Sequence, residues 1–184
     1  AGAPETLERG QLAEFVGSGP FVVHSQDELH PFYFAQYMTG ASELGEAETT
    51  GDPEWINVVP VDQWLSRYVL FADPTFPVTN LVVVRRRGGA PINLDCLGSL
   101  EGWSSLGAYE FTRVPLTQGN YENVGTCSTG RHEMKSVEPF GVVVWGWGAA
   151  NTVPQSRFVS YAYPGGAGTK VLNTVELKDD VILR

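Results

Sequence analysis

Short apolar stretches, each cut off by glycine, proline or aspartate, recur along the whole chain, and no long stretch keeps a helical period. The stretches are Pro20–His24, Pro31–Met38, Trp55–Val59, Arg67–Ala72, Asn80–Arg86, Pro91–Leu94, Ala108–Leu116, Arg131–Val137, Pro139–Trp147, Phe158–Tyr163 and Lys170–Leu177. Many short strands separated by turn formers predict a β-sandwich or barrel. The 21 Gly and 12 Pro supply the turns, and 21 aromatic residues supply bulk for packing between sheets. A chain of 184 residues buries roughly 70% of its unfolded surface, enough for a real core. The expected fold is all-β: an antiparallel β-sandwich, jelly-roll or Ig-like, over residues 48–184. An N-terminal β segment, residues 1–47, is expected to pack on it as the end of a preceding similar unit. That repeat rests on an echo between Pro20-Phe21-Val22-Val23 and Pro139-Phe140-Gly141-Val142-Val143. The acidic stretch Ser42–Glu54 reads as the exposed connection between the units.

The run from Phe140 to Gly148 reads as the central strand, because apolar side chains fall on both of its faces. Gly141, Gly146 and Gly148 mark bulges or close backbone approach there. Pro60–Ser66 is compatible with a helical turn or two. In Thr6–Val16, Leu7, Leu12, Phe15 and Val16 could line a helix, but Gly10 argues against it.

Charge narrows the function. Twelve basic against 21 acidic residues give a net charge of −9. Phosphate backbones are held by Lys and Arg, so nucleic acid is excluded as a partner. Arg85-Arg86-Arg87 reads as the solvated end of a strand that guards it from aggregation. No run approaches the ~20 apolar residues needed to span a bilayer. Ala1–Thr6 is small and polar. It does not form a signal peptide, and reads as a mature end or a cut from a longer chain.

Catalytic signatures are missing. There is no GxSxG elbow, no GxxxxGK[ST] loop and no local signature of paired carboxylates. His24, His30 and Asp27 could in principle bind a transition metal, but read better as a polar turn. His132 reads as a residue that hydrogen-bonds backbone across a turn. Asp27, Glu28, Asp52, Asp62, Asp73 and Asp95 are oxygen donors at strand ends, compatible with weak Ca²⁺ binding but without the spacing of a dedicated loop. No other cofactor is implied. Trp145 and Trp147 share one face and read as core or an aromatic shelf. Trp103, in the loop Gly98–Gly107, is the best candidate for an exposed ligand-binding aromatic, with Tyr109 and Tyr121 beside it as further candidates.

Cys96 and Cys127 belong to no CxxC pair, which argues against zinc. They either form one disulfide or stand as two buried thiols. Scarce Lys with abundant Gly and Thr fits an exported protein and favours the bridge, which would contribute ~3–4 kcal/mol by closing a long loop.

The order of motifs resembles the IgGFc-binding protein N-terminal domain family. The resemblance is carried by Gly51-Asp52-Pro53, Pro60, Gln63-Trp64-Leu65, Tyr68-Val69-Leu70-Phe71, Ile92-Asn93-Leu94-Asp95 and Gly130-Arg131-His132. It continues through Pro139-Phe140-Gly141-Val142 and Trp145-Gly146-Trp147-Gly148 to Tyr161-Ala162-Tyr163-Pro164-Gly165-Gly166. Cys96 stands where the family often has Gly, and Cys127 precedes the Gly-x-His pattern. Such paired departures are what a local disulfide would produce. The resemblance implies a β-rich module of a secreted or cell-surface protein that binds or adheres rather than catalyses. Its partners would be a host or neighbouring surface protein or glycan, and other domains of its parent chain. A carbohydrate-active module, or a structural unit of a surface assembly, is the alternative.

Overall fold

The computed structural model of the chain describes residues 3–17, 19–38, 40, 51–148 and 159–169. The strands are β1 (Ala35–Tyr37), β2 (Trp55–Asn57), β3 (Leu65–Ala72), β4 (Val78–Arg86), β5 (Asn93–Leu94) and β6 (Gly98–Ser99). They continue with β7 (Ser104–Leu106), β8 (Tyr109–Gln118), β9 (Glu122–Asn123), β10 (Gly130–Trp147) and β11 (Ser160–Pro164). All pairings are antiparallel. Among the described residues there is no α-helix, and Pro60–Ser66 contributes a single 3₁₀ turn, Val61–Gln63. The fold is the expected all-β, sandwich-like one.

β10 organises the molecule because it belongs to both sheets. Its first half pairs with β3 on one side and β5 on the other. Its second half pairs with β4 and β11. Between them the chain bends. From Lys135↔Arg67 to Phe140↔Leu65 there are five steps along β10 against two along β3. The surplus residues form a corner, where Val137 is 89% exposed. Val137 stays within β10 but takes no part in the core. The corner is tied down by the Glu138 carboxylate, which accepts from Ala90 N–H at 2.9 Å. The first sheet runs β6-β5-β10-β3, and the second runs from β11 through β10, β4 and β8 to β7, with β9 also on β8.

The two sheets enclose the core. Tyr68, Leu70, Leu94 and Met134 face inward from the first, and Leu81, Val83, Val114, Leu116, Phe140, Val142 and Val144 from the second. The tyrosines of β11 stitch the sheets together. Tyr161 and Tyr163 stack at 6.2 Å and reach the margin of β3. Tyr163 Oη accepts from Phe71 N–H (2.8 Å) and donates to Phe71 C=O (2.7 Å). Tyr161 Oη accepts from Asp73 N–H at 3.0 Å.

Outside the second sheet lies the segment from Gly51 to Trp64. Gly51 N–H bonds Gly148 C=O at 2.7 Å, and the Trp64 indole lies over Gly141, where an added Cβ would stand 2.8 Å from the ring. Of the three glycines expected to mark bulges or close approach, Gly141 and Gly146 mark close approach. At Gly146 a Cβ would fall 1.9 Å from Tyr161. β1, from the N-terminal segment, pairs with β2 in this cladding.

The N-terminal region departs from the strand pattern. Pro20–His24 forms no strand, Pro31–Met38 contributes only its last part as β1, and Thr6–Val16 forms no helix. Gly10, at φ 78°, turns the chain. Strands need partners, and in place of a ladder Phe15, Phe21 and Phe34 cluster with ring centroids 5.4–6.3 Å apart. Most of the acidic connection and all of Lys170–Leu177 lie outside the described residues.

Candidate binding surfaces

The first functional feature is the disulfide corner. Cys96 and Cys127 are bonded, with Cα atoms 5.0 Å apart. Cys127 is fully buried. Beside the bridge His132, 4% exposed, points inward from β10. Its Nε2 lies 2.7 Å from Ser128 C=O and its Nδ1 3.0 Å from Asp95 Oδ1. The backbone contact across the turn is the role expected of it. Asp95 also accepts from Glu133 N–H at 2.9 Å through Oδ2. Partial burial acts to raise the Asp95 carboxyl, but the bonds from His132 and Glu133 N–H outweigh it and hold the group below the usual carboxylate range.

The loop aromatics are dispersed and engaged. Trp103 is half-buried against the core rather than exposed. Its indole N–H donates to Leu100 C=O at 3.0 Å, and the Arg85 guanidinium lies 3.9 Å from its ring centroid. Arg85 in turn pairs with Glu110 at 2.8 Å and donates to Ala90 C=O at 2.9 Å. The expectation of solvated charges at Arg85–Arg87 thus fails for Arg85. Its position on β4 has the parity of Leu81 and Val83, which turns it to the core face under Trp103. Tyr109 packs edge-to-face on Trp64 at 5.9 Å. Tyr121, at φ 64°, donates to Thr75 C=O at 3.1 Å. Tyr109 opens β8 and Tyr121 follows its end, so about 30 Å of strand separates them at ~3.3 Å per residue. The three do not converge on one site.

The metal readings fare similarly. His30 pairs with Asp27 at 2.6 Å, while His24 turns to Ser25 C=O, so that triplet does not assemble. Asp73 caps its own turn by accepting from Thr75 N–H at 2.8 Å. Among the described residues one group of three or more donors comes together: Asp95, Cys96 and His132. The six strand-end acids do not gather into a calcium cage.

An unanticipated surface is the outer face of the first sheet. On β3, Tyr68, Leu70 and Ala72 go inward, which puts Arg67, Val69 and Phe71 outside. Val69 is 56% and Phe71 55% exposed. Across the ladder Phe71 faces Arg131, Val69 faces Glu133 and Arg67 faces Lys135. Arg67 and Arg131 both grip Glu133, at 2.8 and 3.1 Å. Arg131, opposed by partial desolvation but joined by Arg67, holds that carboxyl low. Three cations against one carboxylate leave this face locally positive on a chain of net charge −9. Sequence reading missed it because Arg67–Ala72 is apolar at both parities from Tyr68 onward, so alternation does not reveal which side is wet.

No curated protein and no solved structure matches the chain. A family model does, that of the IgGFc binding protein, over residues 1–146. The match takes in β1 to β9 and β10 up to Gly146 but stops short of β11 and the Tyr161–Gly166 motif. With that span aligned, the chain belongs to the IgGFc binding protein family.

Proposed function

We propose that this chain is a non-catalytic binding module of a secreted or cell-surface protein, and that it engages a protein partner through the outer face of its first sheet. The observation that carries this reading is the exposed Val69–Phe71 pair set among Arg67, Arg131 and Lys135. Aromatic and arginine side chains around a small apolar centre are the composition that dominates protein interfaces. The family's name supports a protein as ligand, with antibody Fc the first candidate. The disulfide supports an oxidising, exported setting.

The partner surface would be acidic with an apolar centre. Binding of immobilised chain to purified IgG Fc, measured by surface plasmon resonance alongside a glycan array, tests both the class and the place. Phe71→Asp and Arg131→Glu should each weaken protein binding at least tenfold and leave the melting temperature unchanged. Unaltered affinity in both variants removes this face from the reading. Glycan capture abolished by Trp103→Ala, Tyr109→Ala or Tyr121→Ala, with no protein captured, would transfer the function to a carbohydrate module.

A further inference from the structure

We infer that Asp95, Cys96, Cys127 and His132 form a zinc site when the disulfide is reduced. The ligand atoms of Asp95, Cys96 and His132 lie within 4.8 Å of one another, and Cys127 Sγ is bonded to Cys96 Sγ. Four zinc donors in a tetrahedron stand about 3.3–3.8 Å apart; Asp95, Cys96 and His132 are close to that spacing already, and Cys127 Sγ, once parted from Cys96 Sγ, has to turn in to complete the set. Two thiolates, an imidazole and a carboxylate are donors that zinc accepts together.

The geometry around His132 points independently to a cation. Ser128 C=O can only accept, so Nε2 carries hydrogen. Nδ1 is left facing Asp95 Oδ1 at 3.0 Å, an arrangement satisfied when a proton or a metal ion sits between the two. An imidazole whose other nitrogen donates to a backbone carbonyl is the outer-shell pattern that orients a metal-binding histidine. Asp95 is likewise held by Glu133 N–H through its second oxygen, Oδ2. The ring and the carboxylate are thus oriented before any ion arrives. In the oxidised protein both sulfurs are committed to each other, so the site opens only on reduction.

The reaction balances with a phosphine as reductant. Phosphine and water give phosphine oxide; the S–S bond breaks and two S–H bonds form; each thiol releases its proton as a Zn–S bond replaces it. An exported chain meets reducing conditions before its disulfide is made, and zinc there would keep the two thiols paired with each other.

The test uses the full chain, reduced with a phosphine, with Co²⁺ as spectroscopic probe. One equivalent of Co²⁺ should give thiolate-to-metal charge-transfer and tetrahedral d–d absorption, bleached by one equivalent of Zn²⁺. Zn²⁺ should raise the melting temperature of the reduced protein and leave that of the oxidised protein unchanged. Asp95→Asn should weaken Zn²⁺ at least tenfold, and the Cys96→Ser/Cys127→Ser double variant should give no charge-transfer band. If reduction unfolds the chain, Zn²⁺ should restore its native near-ultraviolet circular dichroism. Reduced protein without the thiolate band, reduced and unfolded protein that Zn²⁺ does not restore, or equal uptake by the oxidised chain overturns the inference.

Discussion

The two sheets share a strand, yet they treat their outer faces in opposite ways. The second is clad by the segment from Gly51 to Trp64, and its central strand is correspondingly apolar at both parities, with Trp145 6% exposed and Val144 1%. The first is bare among the described residues, and its outer positions along the β3–β10 ladder are charged except for Val69 and Phe71. A covered outer face demands close fit, which is why Gly141 sits under the Trp64 ring. A bare outer face demands only solubility, so two exposed apolar side chains there are available for recognition.

The sharpest way to break this contrast is a matched pair of substitutions. Val144→Asp should cost more than about 4 kcal/mol, because it buries an unpaired charge, and denaturant titration should show no stable native baseline. Val69→Asp should stay within about 0.5 kcal/mol of wild type. Equal losses would mean that the two sheets are alike. Val143, half-buried between Val82 and Pro164, should give an intermediate loss on the same change rather than match Val144.

Next in size is the disulfide at the end of the first sheet. Reduction in the presence of a chelator should cost about 3–4 kcal/mol, the loop-closure entropy of a 31-residue separation. Thermal melting with and without phosphine reads it, and an unchanged midpoint would show that the bridge restrains nothing.

The seam between the sheets should fail in alkali. Burial pushes the hydroxyls of Tyr161, Tyr163 and Tyr68 up, against the lowering effect of the N–H groups that bond them. A raised folded-state value means that stability is intact below the ordinary tyrosine value of about 10 and falls as pH rises through the folded value. Unfolding monitored from pH 8 to 12 should show that decline, and Tyr161→Phe/Tyr163→Phe should flatten it. An identical profile in the double variant would acquit these rings.

Much of this was legible in the sequence. Phe140–Trp147 announces a central strand because no half-exposed strand would carry Val142, Val143, Val144 and Trp145 in a row. The cysteine pair was readable from composition and from the paired departures at Cys96 and Cys127. What stayed hidden depends on partners far along the chain. Arg85 looks like surface until Glu110 and Trp103 arrive from other strands. The Asp95–His132 contact spans 37 residues. The β10 corner consumes Val137 because two sheets must meet there, which no local pattern announces.

The tyrosine clamp on Phe71 has a consequence for assembly. In an antiparallel ladder, the N–H and C=O of one residue point the same way, and at a sheet margin they solicit a strand from another molecule. Here one side-chain hydroxyl occupies both groups of Phe71, and a second takes the N–H of Asp73. An incoming peptide would have to displace Tyr163 before it could add to β3 there. Any recognition along this stretch of β3 has to run through side chains, and copies lying side by side cannot add a strand there.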